Sequence, residues 1–437
     1  MVFDNKSNVS FPESECCDSE NSDDSDKENE LTPEWNVRIQ LFDNWMLIVD
    51  SDEESTRLVL PIWKFCVITL LKVATTDAKM VINFPRKDGS MFPENGRPGT
   101  ITDKAGDFVA ESDVIILSSP PNHFQDYLKA MKKYIKKRTV IIGVPGRSGF
   151  EYQCRTSLEE LGEQCTIVNL ETCPWVCEQV KFGSQIDVKV TVASIVTSTL
   201  FGTSPPKRGP LSILQLILGG DCALQNSLNF MSVLLSPFVY LECCLLFGRW
   251  SEWDEKPLES ELGLFEDVSE KTAEMISKCS NECSKIIQAI KTGKPELKIN
   301  DYKGIEEWFA GFKDCIGDSS SLLTTLKTCK IWGDIKHPMK KDRKKSEYTP
   351  DLEERISEYL SYGLIVIRGV AEILQQETPV IDKLITWCQT KSKKNYMKDG
   401  KVLTDKNIQN TSCPQKFKFS TLNEILFVKA LPTDIEL

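Results

Sequence analysis

Histidine and early glycine are scarce in this chain. It contains two histidines in 437 residues, His123 and His337, and no glycine before residue 89. With so few nitrogen ligands, and with CxxxC in place of CxxC spacing at Cys173 and Cys177, we expect no metal site. Glycine lets backbone amides approach a phosphate, so its absence excludes a glycine-rich phosphate-binding turn from the segment before residue 89.

Basic residues are also outnumbered, with 53 Lys and Arg against 64 Asp and Glu. The formal net charge is −11, and the one dense basic run, KKDRKK at 340–345, is expected to be a solvated loop. We therefore expect no nucleic-acid partner. No early stretch combines a basic start, an apolar block and a small-residue cleavage site, which predicts a cytoplasmic protein with reduced thiols. The apolar run at 231–248 contains Pro237 and Glu242, so we expect a buried core helix and no membrane span.

Composition and periodicity divide the chain into three parts. Residues 1–34 are rich in Asp, Glu, Ser and Asn, which predicts a disordered acidic tail. In residues 35–205, apolar runs of strand length alternate with helical periodicity, which predicts an α/β domain with a mostly parallel sheet. Residues 206–437 have mainly helical periodicity and are predicted to form an all-helical domain.

Several elements are predicted individually. Strands are expected at 79–84, 112–118, 139–144, 166–170 and 186–195. Helices are expected at 122–137, 154–161, 231–247, 269–291, 364–375 and 380–390. Ser269 is placed to cap the helix at 269–291, and Cys279 and Cys283 lie on its apolar stripe and are predicted to be core. Short strands are also expected between 35 and 72, and a tight turn at 87–89.

Glu242 is the single acid in the apolar run that ends at Gly248, Arg249 and Trp250. A lone carboxyl on such a helix is either a group at the helix edge that reaches solvent or a buried acid with a raised pKa. In the second case Glu242 would be a candidate proton donor at the floor of a pocket.

A series of segments carries further information about the chain. They are KDG at Lys87, SDVIILSSP at Ser112, GFEYQCR at Gly149, LETCPWVCE at Leu170, KFG at Lys181, PLSILQLILGG at Pro210, LFGRWSEWDEKPL at Leu246, CSNEC at Cys279, HPMK at His337, TPDLEER at Thr349, IVIRGVA at Ile365 and DKLITWCQ at Asp382. In this order, from about residue 73 to residue 429, the chain resembles the opine dehydrogenases, the octopine dehydrogenase type in particular.

The resemblance implies a Rossmann-like dinucleotide-binding domain at 35–205, incomplete at its N-terminus, followed by a helical substrate domain at 206–437. It implies NAD or NADP as cofactor. The implied reaction condenses an amino acid with an α-keto acid such as pyruvate and reduces the resulting imine. The physical needs are a pyrophosphate groove, a cation for the keto-acid carboxylate, an acid for the amino substrate and a proton donor.

Four residues match substrate-binding positions of the family, each with a structural alternative. Glu171 would bind the cationic amino substrate, or be a surface acid at a strand end. Arg355 would bind a carboxylate through its planar fork, or be an exposed helix arginine paired with Glu354 or Glu358. Trp308 and Cys177 match pocket positions, and core packing is the alternative for both.

Two features of the family have no counterpart. The glycine-rich fingerprint is missing, because residues 35–63 occupy its place without a glycine. The catalytic histidine falls on Glu242, and the aspartate that orients it is replaced by Glu358 or Tyr359. A glutamate can replace the histidine only if burial raises its pKa toward neutrality.

Two functions are therefore considered: an NAD-dependent oxidoreductase acting on a CH–NH bond, with Glu242 in place of the histidine, and a catalytically inactive relative that acts as a binding or regulatory protein. A third interpretation is that residues 35–72 are not authentic sequence, in which case the missing glycines carry no information. The oligomeric state is not encoded in any recognisable pattern.

Overall fold

A six-stranded sheet organises the N-terminal part of the chain. The computed structural model describes residues 46–49, 80–86, 90–96, 109–110, 112–118, 120–181, 185–219, 221–299, 301–333, 335–342 and 344–428. The strand order is β1-β4-β5-β6-β9-β10. These strands are β1 (Met46–Val49), β4 (Val114–Leu117), β5 (Val140–Gly143), β6 (Thr166–Leu170), β9 (Ser194–Leu200) and β10 (Ala223–Ser227).

The middle of this sheet is the parallel unit that the sequence predicts. Strands β4, β5 and β6 pair in parallel, and all of their residues are buried, which explains their continuous apolar runs. The connections are helical: α1 (Phe124–Met131), α2 (Phe150–Leu158) and α3 (Glu160–Gln164). Phe124 and Leu128 of α1 and Phe150 of α2 belong to one buried cluster with the strand residue Ile141. The prediction of an α/β domain is confirmed.

The rest of the first domain is less parallel than predicted. Strand β1 runs antiparallel to β4, and β9 runs antiparallel to β6. A second sheet has the order β3-β2-β8-β7, formed by β2 (Met80–Pro85), β3 (Met91–Gly96), β7 (Trp175–Lys181) and β8 (Gln185–Thr191). The single strand predicted at 186–195 is wrong, because β8 and β9 lie in different sheets on either side of Val192. The apolar periodicity continues through this break between strands, so the sequence pattern does not indicate it.

Strand β10 lies beyond the predicted domain boundary at 205 and 206. It follows α4 (Pro210–Leu218) and pairs in parallel with β9, so it completes the six-stranded sheet. We therefore propose that the boundary between the two parts of the chain lies near Phe230.

The C-terminal part is predominantly helical, as predicted. Its helices are α5 (Met231–Leu234), α6 (Phe238–Trp250), α7 (Glu270–Gly293), α8 (Ile305–Ala310), α9 (Leu322–Thr328), α10 (Glu353–Tyr359), α11 (Ile365–Ile373), α12 (Pro379–Ser392) and α13 (Leu422–Ile425). Ser269 caps α7 by accepting a hydrogen bond from the Thr272 amide at 3.2 Å, and Cys279 and Cys283 are fully buried. Both predictions about this helix are confirmed.

Two predictions for the helical part need correction. The helix expected at 231–247 is two helices, because Pro237 starts α6 and has no amide hydrogen to continue α5. Two short hairpins also occur, β11 (Met339–Asp342) with β12 (Glu347–Pro350), and β13 (Met397–Lys398) with β14 (Lys401–Val402). Part of the basic run at 340–345 therefore lies on a strand and not in a loop.

The stretch Met231–Trp250 is, in the described part of the chain, the one long and apolar enough to cross a membrane by length and composition. Its most apolar window is 83% buried inside the protein. The stretch therefore packs as a core helix does. The predicted acidic tail at 1–34, the turn at 87–89 and most of the strands expected between 35 and 72 lie outside the described residues.

Candidate active site

Two neighbouring cavities lie where the parallel strands end against the helical part. Arg147 follows β5 and Glu171 follows β6, and the carboxyl ends of parallel strands meet at one edge of a sheet. Both side chains line the first cavity, named here the Glu171 cavity. The second, named the Glu242 cavity, is lined by Glu242 and Arg355. Phe238 and Tyr359 line both cavities.

Glu171 is a buried acid that accepts hydrogen bonds from neutral groups. The residue is 7% exposed, and Oε1 accepts a hydrogen bond from Ser236 Oγ at 2.6 Å and another from the indole nitrogen of Trp308. Burial raises the pKa of Glu171 to about 7, although the two hydrogen bonds act in the opposite direction. The alternative of a surface acid at a strand end is wrong for Glu171.

Trp308 is a buried core residue whose indole N–H donates a hydrogen bond to Glu171. Its ring stacks on Trp332, with centroids 5.5 Å apart and an angle of 3° between planes, and it meets Phe309 and Phe312 edge-on. This aromatic cluster fixes the direction of the indole N–H toward Glu171. Trp308 is therefore a core residue, and its role at a substrate pocket stays a prediction.

Glu242 and Arg355 form a two-point ion pair. Arg355 Nε donates to Glu242 Oε1 at 2.5 Å, and Arg355 Nη2 donates to Oε2 at 2.9 Å. The side chains are 12% and 14% exposed respectively, so the pair is shielded from water. Planar guanidinium and carboxylate groups match in this geometry, which makes such pairs strong and directional.

The ion pair keeps Glu242 ionised. Burial alone would raise the pKa of Glu242, but the Arg355 charge and its hydrogen bonds outweigh burial and lower the pKa to about 2. The expectation of a raised pKa is wrong, and so is that of a helix-edge group reaching solvent. The alternative of an exposed helix arginine is wrong for Arg355, because its side chain is 14% exposed and pairs with Glu242.

Of the two residues expected at the orienting position, Tyr359 acts on Glu242 and Glu358 pairs elsewhere. A hydrogen bond from the Tyr359 side chain is among the causes that lower the pKa of Glu242. Glu358 forms an ion pair with Arg147, with 3.1 Å between Oε1 and Nη2. The carboxylates of Glu358 and Glu242 therefore pair with different arginines. The Tyr359 ring lies under both guanidinium groups, 5.1 Å from that of Arg147 and 5.3 Å from that of Arg355. Tyr359 therefore separates two arginines with different partners.

The α-helical domain of NAD/NADP octopine/nopaline dehydrogenases matches residues 230–392 of this chain. Octopine dehydrogenase of Pecten maximus is 33% identical over 342 residues, which cover 78% of this chain and 85% of that protein.

The chain belongs to the opine dehydrogenase family.

Further similarities extend over both domains. Tauropine dehydrogenase of Arabella iricolor is 30% identical over 361 residues, which cover 82% of this chain and 87% of that protein. The solved structure of octopine dehydrogenase in complex with NADH and agmatine superposes with a TM-score of 0.76 at 30% identity, and covers 86% of this chain and 90% of that chain. The fold of an opine dehydrogenase, an N-terminal Rossmann domain and a helical C-terminal domain, is thereby confirmed, and NAD or NADP is the cofactor of the family.

The described residues do not fit the pyrophosphate of that cofactor. The fingerprint requires a parallel first strand whose carboxyl end meets those of β4 and β5, followed by a glycine-rich turn. Strand β1 instead runs antiparallel to β4, and no glycine precedes residue 89.

The glycine-rich turn after β5 does not replace the fingerprint. A Cβ atom added at Gly146 would lie 2.6 Å from Asn169 Oδ1, and one at Gly149 would lie 2.7 Å from the Ser412 carbonyl oxygen. The Gly146 amide also donates to Asn169 Oδ1 at 3.0 Å. These glycines are explained by close packing against protein atoms, not by an open phosphate cradle.

Three of the five predicted site residues line the two cavities, namely Glu171, Glu242 and Arg355, and Trp308 contacts Glu171 from outside the lining. Glu171 meets Trp308, and Glu242 meets Arg355, as described above. Cys177 is not among the residues that line either cavity, whereas Cys173 lines the Glu242 cavity, and burial raises the pKa of both thiols. Their substrate and catalytic roles stay predictions.

Sequence reasoning missed Arg147 and Ser236. Arg147 lies in PGRSG directly after the predicted strand at 139–144, and the rule that sites form at the carboxyl ends of parallel strands could have found it. Ser236 has no comparable signal, because its contact with Glu171 depends on how α6 packs against the sheet.

Proposed function

We propose that the protein is an opine dehydrogenase-type oxidoreductase in which the reductive condensation of an amino acid with an α-keto acid is impaired, and in which the Glu171 cavity is retained for a small amino compound. The observation that carries this proposal is the ion pair between Glu242 and Arg355. A cytoplasmic location stays a prediction.

The charge state of Glu242 is the first reason to expect impaired catalysis. A general acid works best when its pKa lies near the operating pH. Glu242 replaces the family histidine by resemblance, but with a pKa of about 2 it is a carboxylate at neutral pH and has no proton to donate. This supports a loss of the proton-transfer contribution, which is typically about 10²- to 10⁴-fold in rate.

The occupied arginine is the second reason. By resemblance, Arg355 would bind the keto-acid carboxylate, yet both of its fork positions donate to Glu242. An incoming carboxylate would have to displace a buried internal one. Such displacement is unfavourable because it leaves the Glu242 charge buried without its partner.

The cofactor groove is the third reason. The NAD or NADP of the family is bound through a glycine-rich turn after a parallel first strand, and the described residues do not fit that requirement. If dinucleotide binding is lost altogether, the protein is the catalytically inactive relative. The buried Glu171 with its Trp308 and Ser236 partners favours a retained binding role in that case.

Enzyme assays test the proposal directly. We expect the protein to oxidise NADH with pyruvate and L-arginine at least about 100-fold more slowly than an octopine dehydrogenase assayed in parallel. Ordinary turnover would contradict the proposal.

Two variants separate impairment from complete inactivity. Glu242→His supplies an imidazole and releases Arg355, whereas Glu242→Gln releases Arg355 without supplying a proton donor. A gain in turnover specific to Glu242→His, in a protein whose binding changes NADH fluorescence, indicates an impaired enzyme. Absence of both NADH binding and turnover in all three proteins indicates the inactive binding protein.

A further inference from the structure

The last described residues of the chain run from the helical part back to the first domain. Residues 411–428, named here the strap, contain α13. One side of the strap is bound to the helical part. Gln415 Nε2 donates to the Gly369 carbonyl oxygen at 2.9 Å, and the Ser412 amide donates to that of Ser361 at 3.3 Å.

The other side of the strap is bound to the first domain. Ser412 Oγ donates to the Ser148 carbonyl oxygen at 2.6 Å, and Lys416 Nζ donates to Gln125 Oε1 at 2.6 Å. Ser148 follows Arg147 directly and lines the Glu171 cavity with it. One segment therefore bridges the two domains and holds the turn that carries Arg147.

Tyr152 of α2 anchors the strap by apolar packing. Its side chain is fully buried, and its hydroxyl donates to the Ile425 carbonyl oxygen at 3.1 Å. Three strap rings surround the Tyr152 ring, with centroids 6.2, 5.4 and 5.7 Å away: Phe417, Phe419 and Phe427. Buried aromatic rings contribute much of the energy of such interfaces, so the strap adds substantially to the contact between the domains.

The cleft between the domains is closed to ligands in this arrangement. The Glu171 cavity has about 10 Å³ of free space, which is room for about one water molecule, and the Glu242 cavity has about 50 Å³. Residues of both domains line each cavity. A small amino compound therefore enters only if the two domains move apart.

We propose that the strap is an interdomain latch, which keeps the cleft closed and leaves Tyr152 before any ligand larger than water reaches Glu171. Clefts between domains open by hinge movement, and a segment bound to both domains opposes that movement. Water can replace the strap at the Ser148 carbonyl and the Tyr152 hydroxyl, so release does not require either domain to unfold. The consequence for ligand entry rests on the proposed function, whereas the latch is a property of the chain alone.

The rate at which a maleimide modifies Cys173 tests the latch without ligand or cofactor. Cys173 belongs to the first domain and lines the Glu242 cavity, so its thiol meets the reagent when the domains part. We expect Phe419→Ala, which removes a ring from Tyr152, to raise this rate by about ten-fold.

Phe247→Ala is the matched control for Phe419→Ala. Phe247 and Phe419 are both half-buried, and each meets another ring edge-on. The centroids are 5.3 Å apart for Phe247 and Trp387, within the helical part, and 5.4 Å apart for Phe419 and Tyr152. Phe247→Ala should leave the rate at Cys173 unchanged.

Cys388 separates opening of the cleft from unfolding. Its thiol is fully buried in the helical part and meets the reagent only when that part unfolds. Peptide mass spectrometry gives the rates at Cys173 and Cys388 in one sample. The latch predicts that Phe419→Ala raises the ratio of the two rates by about ten-fold.

Ser412→Ala is a milder variant that decides the question if Phe419→Ala does not fold. It removes the hydroxyl donor to Ser148 and keeps every ring of the strap. The rate at Cys173 should rise by less, about five-fold, because one hydrogen bond is lost.

Three results would overturn the inference: an unchanged rate at Cys173 in both strap variants, an equal rise in Phe247→Ala, or a rise at Cys173 that Cys388 matches. Ordinary NADH turnover would contradict the proposed function and leave the latch standing. An unchanged rate at Cys173 in both strap variants would contradict the latch alone.

Discussion

Glu171 and Glu242 are both buried acids of one site, yet they differ in charge state. Glu171 accepts hydrogen bonds from the neutral groups of Ser236 and Trp308, and burial raises its pKa to about 7. Glu242 is buried too, but the guanidinium of Arg355 lowers its pKa to about 2. The charge of the nearest partner, and not burial by itself, decides which carboxyl can hold a proton near neutral pH.

This difference explains why the sequence alone does not show which of the two acids has the raised pKa. A lone carboxyl in an apolar helix is the usual pattern of a raised pKa, and Glu242 has that pattern. Its partner lies 113 positions away on α10, where nothing local links the two. Glu171, at the end of a strand, has the raised pKa that was expected of Glu242.

The largest expected effect follows removal of Arg355. Arg355→Met leaves the Glu242 charge buried without a partner, so we expect the free energy of unfolding at pH 7 to fall by about 3–5 kcal/mol in urea denaturation. The double variant Glu242→Gln/Arg355→Met removes both buried charges, so its free energy of unfolding should fall by less.

An exposed pair provides the control for Arg355→Met. Lys278 and Glu274 form an ion pair at 2.8 Å with side chains 55% and 63% exposed, and Lys278→Met should change stability by less than about 1 kcal/mol. If Arg355→Met lowers the free energy of unfolding by no more than the double variant does, Glu242 is not a buried carboxylate in the folded protein.

Glu171→Gln should have the next largest effect, with a defined pH dependence. The folded-state pKa of Glu171, about 7, is above its ordinary value of 4.5, so the stability from the protonated form is fully present below pH 4.5 and is lost as pH rises through about 7. The glutamine variant lacks this loss. We therefore expect the free energy of unfolding of Glu171→Gln, relative to that of wild type, to rise between pH 4.5 and 8 by up to roughly 3 kcal/mol.

Denaturation of both proteins across that pH range measures the effect of Glu171→Gln. The difference between the two curves is the readout, because burial also raises the pKa of Glu151 to about 7 and that group contributes equally to both. A difference that stays constant with pH would show that Glu171 does not titrate there.

The smallest expected effect is that of Trp308→Phe. This change removes the indole donor to Glu171 while an aromatic ring remains against Trp332, so we expect a loss of roughly 1–2 kcal/mol and a rise in the pKa of Glu171. Trp332→Phe is the matched control, because it alters the same stack without removing a donor to Glu171. Equal pH profiles in the two variants would exclude a role for the indole N–H in setting the charge of Glu171.

Local patterns predicted the parts of the fold that depend on neighbouring residues. The parallel unit of β4, β5 and β6 and the capped helix α7 follow from apolar periodicity and from the hydroxyl of Ser269. The direction of β1 and the separation of β8 from β9 depend on long-range pairing, which periodicity does not encode. For the same reason the sequence indicated Glu171, Trp308, Glu242 and Arg355 individually, but not which of them meet.

The most direct test of the central claim is a titration of the Glu242 carboxyl by ¹³C NMR, with its signal assigned by comparison with Glu242→Gln. Because Arg355 lowers the pKa of Glu242 to about 2, we predict that this signal stays at the position of an ionised carboxylate from pH 4 to pH 8. A titration with a midpoint near neutrality would contradict the account, because Glu242 could then donate a proton as the family histidine does by resemblance.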